Sequence, residues 1–124
     1  MNGELSKRDT AGEGASGLRQ RLDEAVVLME TVHQLRKDLR EERLQIPETG
    51  PHSFEELRAQ VLRTIEERER QGVHAFGLVM NRVDLPEEAF QKAIVAGGLH
   101  ELAGRIVLRC LQKVLSRKRF AGLG

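Results

Sequence analysis

Tryptophan and tyrosine are absent from this chain of 124 residues, and four phenylalanines bring the aromatic content to only 3%. A core without large rings must be filled by Leu, Val, Ile and Ala, a composition that favours helices over sheets. The single cysteine, Cys110, excludes an intramolecular disulfide and any cysteine-rich zinc site, and suits a reducing compartment. Only three prolines occur, and no long polar tract accompanies them, which argues against wholesale disorder. No apolar run approaches the roughly 20 residues that cross a bilayer. The stretch from Met1 to Gly17 lacks the apolar segment of a secretory signal, so the expected setting is the cytoplasm. Charge of one sign is also missing: 20 Lys and Arg face 19 Asp and Glu, a net of +1. Bulk charge therefore demands neither nucleic acid nor a membrane. The length is that of one domain.

What is present reads as helix. Residues 1–16 are rich in Gly, Ser and charge with little to bury, and are expected to form a mobile, disordered tail; residues 17–120 form a single helical domain. From 17 to about 45 no proline interrupts a run in which Ala25, Leu28, Val32, Leu35 and Leu39 recur at 3-4-3-4 spacing, the seam of a coiled coil. A helix of roughly 28 residues would extend about 42 Å, more than its shorter neighbours can cover. Leu28, Val32, Leu35 and Leu39 are thus candidates for an oligomer or partner seam, and Leu35→Glu should then yield a folded monomer. Pro47, Gly50 and Pro51 end this helix. Ser53-Phe54-Glu55-Glu56 has the pattern of a capping box, opening a second helix that Gly72 closes. An antiparallel hairpin of these two helices follows.

Residues 73–83 fit either a helix or a strand face. Helix is preferred because no β-rich partner exists elsewhere. Asp84-Leu85-Pro86-Glu87 predicts an N-cap at Asp84 and a helix to about 96. Gly97-Gly98 breaks it, and a last, broadly apolar helix follows. The predicted fold class is all-α: a small helical bundle with a long N-terminal helix, a mobile tail and a basic C-terminal helix. Its core is assigned to Leu28, Val32, Leu35, Phe54, Leu57, Val61, Ile65, Phe76, Met80, Phe90, Ile94, Leu102, Ile106, Cys110 and Val114.

Motifs with chemistry are few. Gly12-Glu13-Gly14-Ala15-Ser16-Gly17 is a literal GxGxxG, but the dinucleotide fingerprint needs a buried strand before it, and Glu4 to Ala11 is polar. Asn81-Arg82-Val83-Asp84 resembles the guanine-reading NKxD element of G-proteins, with Arg in the place of Lys. The chain has no GxxxxGK[ST] to cradle phosphates. Asp84 is then read as a helix cap. His33, His52, His74 and His100 form no i, i+4 pair suited to a metal. Glu55-Glu56, Glu66-Glu67 and Glu87-Glu88 lie in first turns or on solvated faces, without a neighbouring nucleophile. No enzyme, cofactor, metal or small-molecule substrate is inferred.

The distribution of charge says more than its sum. Residues 99–124 carry Arg105, Arg109, Lys113, Arg117, Lys118 and Arg119 against Glu101, a local net of +5, while residues 1–98 carry a net of −4. The first four are spaced four apart and form one stripe. Three readings compete: complementing the helix dipole on a solvated face, pairing with the acidic remainder of the molecule or a second subunit, and contacting phosphates of nucleic acid. Pro86 to Val107 makes a weak helix-turn-helix, because Gly104 interrupts the recognition position and base-reading side chains are scarce. The functional expectation is a non-catalytic protein-interaction or adaptor module, self-associating through the long first helix. The alternative is a small nucleic-acid-binding protein using the basic stripe. No membrane partner is expected.

Overall fold

The computed structural model describes residues 17–123, which are mainly helical with no strand among them. The expected tail 1–16, and with it most of the Gly12–Gly17 pattern, lies outside the described residues. A short helix α1 spans 17–21. It is followed by α2 (Ala25–Leu39), α3 (Ser53–Arg70), α4 (Val73–Val83) and α5 (Glu87–Leu123). The all-α bundle is as the sequence predicts, and 73–83 is helix.

The long helix has moved to the other end of the chain. A turn interrupts the expected 17–45 helix at residues 22–24, where the amides of Leu22, Asp23 and Glu24 bond three residues back to Arg19, Gln20 and Arg21. This tight turn is where Leu22 enters the core. The main helix then stops at Leu39, six residues early. Arg40 adopts the left-handed conformation (φ 51°, ψ 49°), its N–H bonds the Lys37 carbonyl, and the Glu41 N–H bonds the Arg36 carbonyl at 3.0 Å. This is a Schellman termination built without glycine. Fifteen residues of α2 extend only about 22 Å, so no overhang is left for a second chain.

Residues 40–52 are non-helical and run along the bundle, held by side chains instead of a sheet. The Arg36 guanidinium donates twice to the Leu44 carbonyl, at 2.8 and 2.6 Å. Gln60 on α3 accepts from the Gln45 N–H at 2.8 Å and donates to the Gln45 carbonyl at 3.0 Å. A carboxamide thereby satisfies one backbone residue as a neighbouring strand would. The capping box at Ser53 does not form. His52 is the N-cap, without a side-chain bond, and the buried Ser53 hydroxyl donates backward to the Gly50 carbonyl at 2.9 Å. The helix nevertheless starts where the sequence places it.

The second arm of α5, from Leu99 on, is the central element. It packs against both α2 and α3, which touch each other little, so the predicted hairpin of the first two helices is replaced by two helices flanking a third. Leu102, Ala103, Ile106, Val107, Cys110, Leu111 and Val114 are all fully buried there, facing Leu28, Val32, Leu35 and Leu39 of α2 and Leu57, Val61 and Ile65 of α3. Gly104 permits the closest approach to α3: a Cβ at this position would lie 3.2 Å from Arg58 Cδ and 3.5 Å from the Phe54 ring. A mid-helix glycine, weak by propensity, is here a spacing device. The break at Gly97-Gly98 is observed, with Gly98 at φ 66°, ψ −148°, a conformation reserved for glycine. Before it, Phe90 of the first arm meets Phe76 of α4 edge to face, ring centroids 5.9 Å apart. Phe76, Met80, Phe90 and Ile94, predicted as core, are partly buried and pack on its margin.

Two outcomes follow. Leu35→Ala should lower unfolding free energy by about 3 kcal/mol through loss of apolar contact and residual cavity, read by urea denaturation. Glu41 is buried and accepts from the Arg43 guanidinium at 2.8 and 2.9 Å. That side-chain bonding outweighs burial and, with the Arg43 N–H and the charges of Arg43 and Arg68, lowers its pKa from 4.5 to about 2. Because the folded value is depressed, its contribution is complete above the unfolded value and is lost as pH falls from about 4.5 toward 2. Urea midpoints measured from pH 6 to 2 should decline in this window, and Glu41→Gln should flatten the decline.

Candidate interaction site

The four residues of the proposed seam, Leu28, Val32, Leu35 and Leu39, are fully buried inside the chain's own core. The 3-4 spacing reports an intramolecular seam, and a second chain has no access to it. The basic stripe lies at the surface, half of it exposed, but most of its members are bonded within the chain. Arg105 donates to Glu101 at 3.0 Å, Arg109 to the Asp84 carboxylate at 3.1 Å, Lys113 to Asp38 at 2.7 Å, Arg117 to the Gln34 carboxamide at 2.8 Å, and Lys118 lies 2.7 Å from Glu30. Arg117 and Arg119 have no carboxylate within 4 Å among the described residues. Of the three readings, pairing with the acidic remainder of the molecule describes this geometry.

Lys113 leads to residues that sequence reasoning missed. Asp38, in the last turn of α2, is buried. Its Oδ2 accepts from Lys113 Nζ and, at 3.5 Å, from the Cys110 thiol. Its Oδ1 accepts from the Gln34 amide at 2.9 Å. Its backbone carbonyl accepts from Arg82 Nε at 2.8 Å, and Lys113 reaches on to the Arg82 carbonyl at 3.3 Å. Arg68 of α3 donates to the next carbonyls, Leu39 and Arg40, at 3.4 and 3.3 Å. The negative end of α2 is thus answered by cations from α3, α4 and α5. Burial, reinforced by the charges of Arg40 and Arg68, lowers the Arg82 pKa against the pull of Asp38. Burial, and secondarily the Asp38 charge, raises that of Cys110, so the thiol is held protonated and is no nucleophile.

The G-protein-like tetrapeptide dissolves into the same packing. Arg82 is part of the Asp38 cluster, Val83 is fully buried, and Asp84 is the left-handed C-cap of α4 (φ 63°, ψ 47°), not the N-cap of the following helix. Asp tolerates this conformation better than most residues, and its exposed carboxylate is free to bind Arg109. His33, His52, His74 and His100 are all exposed. Among the described residues no three His, Cys, Asp or Glu converge as metal ligands, and no helix is long and apolar enough to cross a membrane.

One large concavity opens on the side of α5 away from Asp38. A groove of about 830 Å³ is lined by Leu18 and Arg19 of α1, Arg58 of α3, the turn from Asp84 to Ala89, and Glu101, Gly104, Arg105, Leu108, Arg109 and Gln112 of α5. It continues into a second hollow of about 540 Å³ that shares Leu18 and Gln112 and adds Leu115, Ser116, Arg119 and Phe120. Its cations are held in place: Arg19 lies 4.3 Å from the Phe54 ring centroid, Arg58 is 5.5 Å from the same ring and paired with Glu55. Across the whole groove five arginines face two acids, Asp84 and Glu101. The signal in the sequence was faint because, of the ten positions of the second arm of α5 that line it, only Leu108, Leu115 and Phe120 carry large apolar side chains.

Comparison with known protein families, with curated proteins and with solved structures gives no match.

The Asp38 cluster sets a measurable stability test. Asp38→Ala should cost about 3 kcal/mol in urea denaturation, because it strands the largely buried Lys113 ammonium. The double change Asp38→Leu with Lys113→Met should cost less than Asp38→Ala, since no charge is left unanswered.

Proposed function

We propose that this chain is a non-catalytic protein-interaction module, with the arginine-lined groove along α5 as its docking surface. The observation that carries the reading is the groove itself: an apolar floor of Leu18, Leu85 and Leu108 bordered by guanidinium groups fixed by their neighbours. Arginine beside apolar side chains is the mixture found where protein surfaces associate most strongly. Pre-set side chains also reduce the ordering entropy lost on binding. In this reading the one thiol, which is buried, takes no part in chemistry. A free, buried thiol also suits the cytoplasm, the setting proposed here.

Self-association through the first helix is not retained, since its seam is occupied. Nucleic-acid binding through the stripe has lost most of its support, because Arg105, Arg109, Lys113 and Lys118 already meet carboxylates of the same chain. The test places a photoreactive side chain at Gln112, in the groove, or at Glu69, an exposed position on α3 outside it, within cells that express the protein. A discrete protein adduct at 112 and none at 69 is the expected result. The same protein should show no DNA or RNA binding by light scattering at 50 mM salt. Binding that weakens more than about tenfold between 50 and 200 mM salt would transfer the function to the nucleic-acid alternative.

A further inference from the structure

The C-terminus of α2 is met by more positive charge than it can neutralise. Arg82 of α4 donates through Nε to the Asp38 carbonyl, and Arg68 of α3 donates through Nη2 to those of Leu39 and Arg40, so guanidinium groups from two helices rest on consecutive carbonyls. Arg40 adds a third, exposed on the same turn. The acids nearby are already engaged. Asp38 holds Lys113 at 2.7 Å, and both oxygens of Glu41 accept from Arg43, at 2.8 and 2.9 Å. Glu41 and Glu67 stand 3.9 Å from Arg68, beyond hydrogen-bonding reach. Arg40 and Arg82 have no carboxylate within 4 Å among the described residues. Once the close pairs cancel, Arg40, Arg68 and Arg82 face the end of the helix dipole, worth about half a negative charge, and a surplus of roughly two positive charges remains.

That surplus is felt inside the cluster, where the charges of Arg40 and Arg68 act on Arg82 more strongly than Asp38 does. Guanidinium groups gathered in this way repel one another, and an oxyanion that accepts from several of them removes the repulsion and matches their planar forks. Donors are available to it. Arg82 uses only Nε within the chain, and no buried side-chain nitrogen among the described residues lacks a partner, so its terminal nitrogens open to water. Arg40 holds the left-handed conformation (φ 51°, ψ 49°), which glycine adopts at less cost; a cation stands there at the expense of backbone strain. We infer that Arg40, Arg68 and Arg82 form a binding site for a dianionic phosphate group, free or carried as a monoester. A phosphate monoester brings close to two negative charges, the amount the cluster lacks, whereas a carboxylate or a nucleic-acid phosphodiester brings one. The site shares no residue with the groove along α5 and does not rest on the interaction reading.

The test is a titration of the isotope-labelled full chain with sodium phosphate at constant ionic strength, followed by NMR. One saturable site with a Kd of about 1 mM or below is expected, with shifts at the Arg40 amide and at the Arg68 and Arg82 Nε–H signals. Acetate should bind there at least about tenfold more weakly. Arg40→Gly should weaken phosphate binding about tenfold, the loss of one charge-assisted contact, while raising the urea midpoint because glycine relieves the left-handed backbone. Should the midpoint fall instead, Arg40→Asn, which tolerates the same conformation without a charge, must show the same loss of binding. Arg119→Gln, which removes a cation from another part of the surface, should leave phosphate binding unchanged. A phosphoserine peptide titrated in parallel identifies the source: tighter binding than inorganic phosphate places the group on a protein, and equal or weaker binding places it on a free solute. Shifts that rise without saturation, acetate binding as tightly as phosphate, unaltered binding in Arg40→Gly, or equal losses in Arg40→Gly and Arg119→Gln overturn the inference. Duplex DNA that binds these residues more tightly than either phosphate probe overturns it as well. If phosphate fails to bind and the Gln112 adduct persists, the interaction reading stands without it.

Discussion

A carboxylate withdrawn from water has to be answered by donors, and the one at Asp38 is answered from α5 as well as from its own helix. Lys113 and Cys110 reach it from α5, Gln34 from one turn earlier in α2, and Arg82 of α4 takes the carbonyl of the same residue. Such a cluster contributes little net energy, since desolvation offsets much of the Coulombic gain. Its effect is on geometry. Apolar side chains alone would allow α2 to slide or rotate against α5 at small cost, whereas a buried ion pair with further hydrogen bonds is satisfied in one register. The position of α4, and with it the Asp84 turn that borders the groove, depends on that register.

Guanidinium groups do elsewhere what aromatic rings or a sheet often do in a domain of this size. Arg36 and Arg68 tie loop and helix-end carbonyls, Arg82 spans from α4 to α2, and Arg19 and Arg58 meet on the Phe54 ring. Arginine is suited to this because its planar fork donates in several directions while its stem covers apolar surface. The consequence is a C-terminal helix whose cations are mostly bonded within the chain.

Local rules were readable in the sequence and long-range ones were not. The Gly97-Gly98 break, the start of α3 and the helical state of 73–83 follow from backbone chemistry within a few residues. The end of α2 does not, because it depends on Arg40 in a left-handed conformation, where Gly or Asn would have been the recognisable signal. The same holds for Asp84, which has the composition of an N-cap and serves as a C-cap. The 4-spacing of Arg109 and Lys113 was visible, whereas their acids lie 25 residues away at Asp84 and 75 away at Asp38. Periodicity located a seam correctly at Leu28 to Leu39 but could not say whose helix fills it. It missed the open face of α5 because only Leu108, Leu115 and Phe120 among its ten positions carry large apolar side chains.

The glycine pair at 97–98 divides more than the direction of α5. On its far side, an unbroken row of fully buried side chains from Leu102 to Val114 anchors the second arm; on its near side only Ala93 is fully buried, and Val95 is 86% exposed. Amide protons of the two arms therefore report different openings: those of the second arm exchange only when the whole bundle unfolds, while those of 87–96 exchange through a local detachment of far lower free energy. The two helices that meet at this break thus belong to two cooperative units.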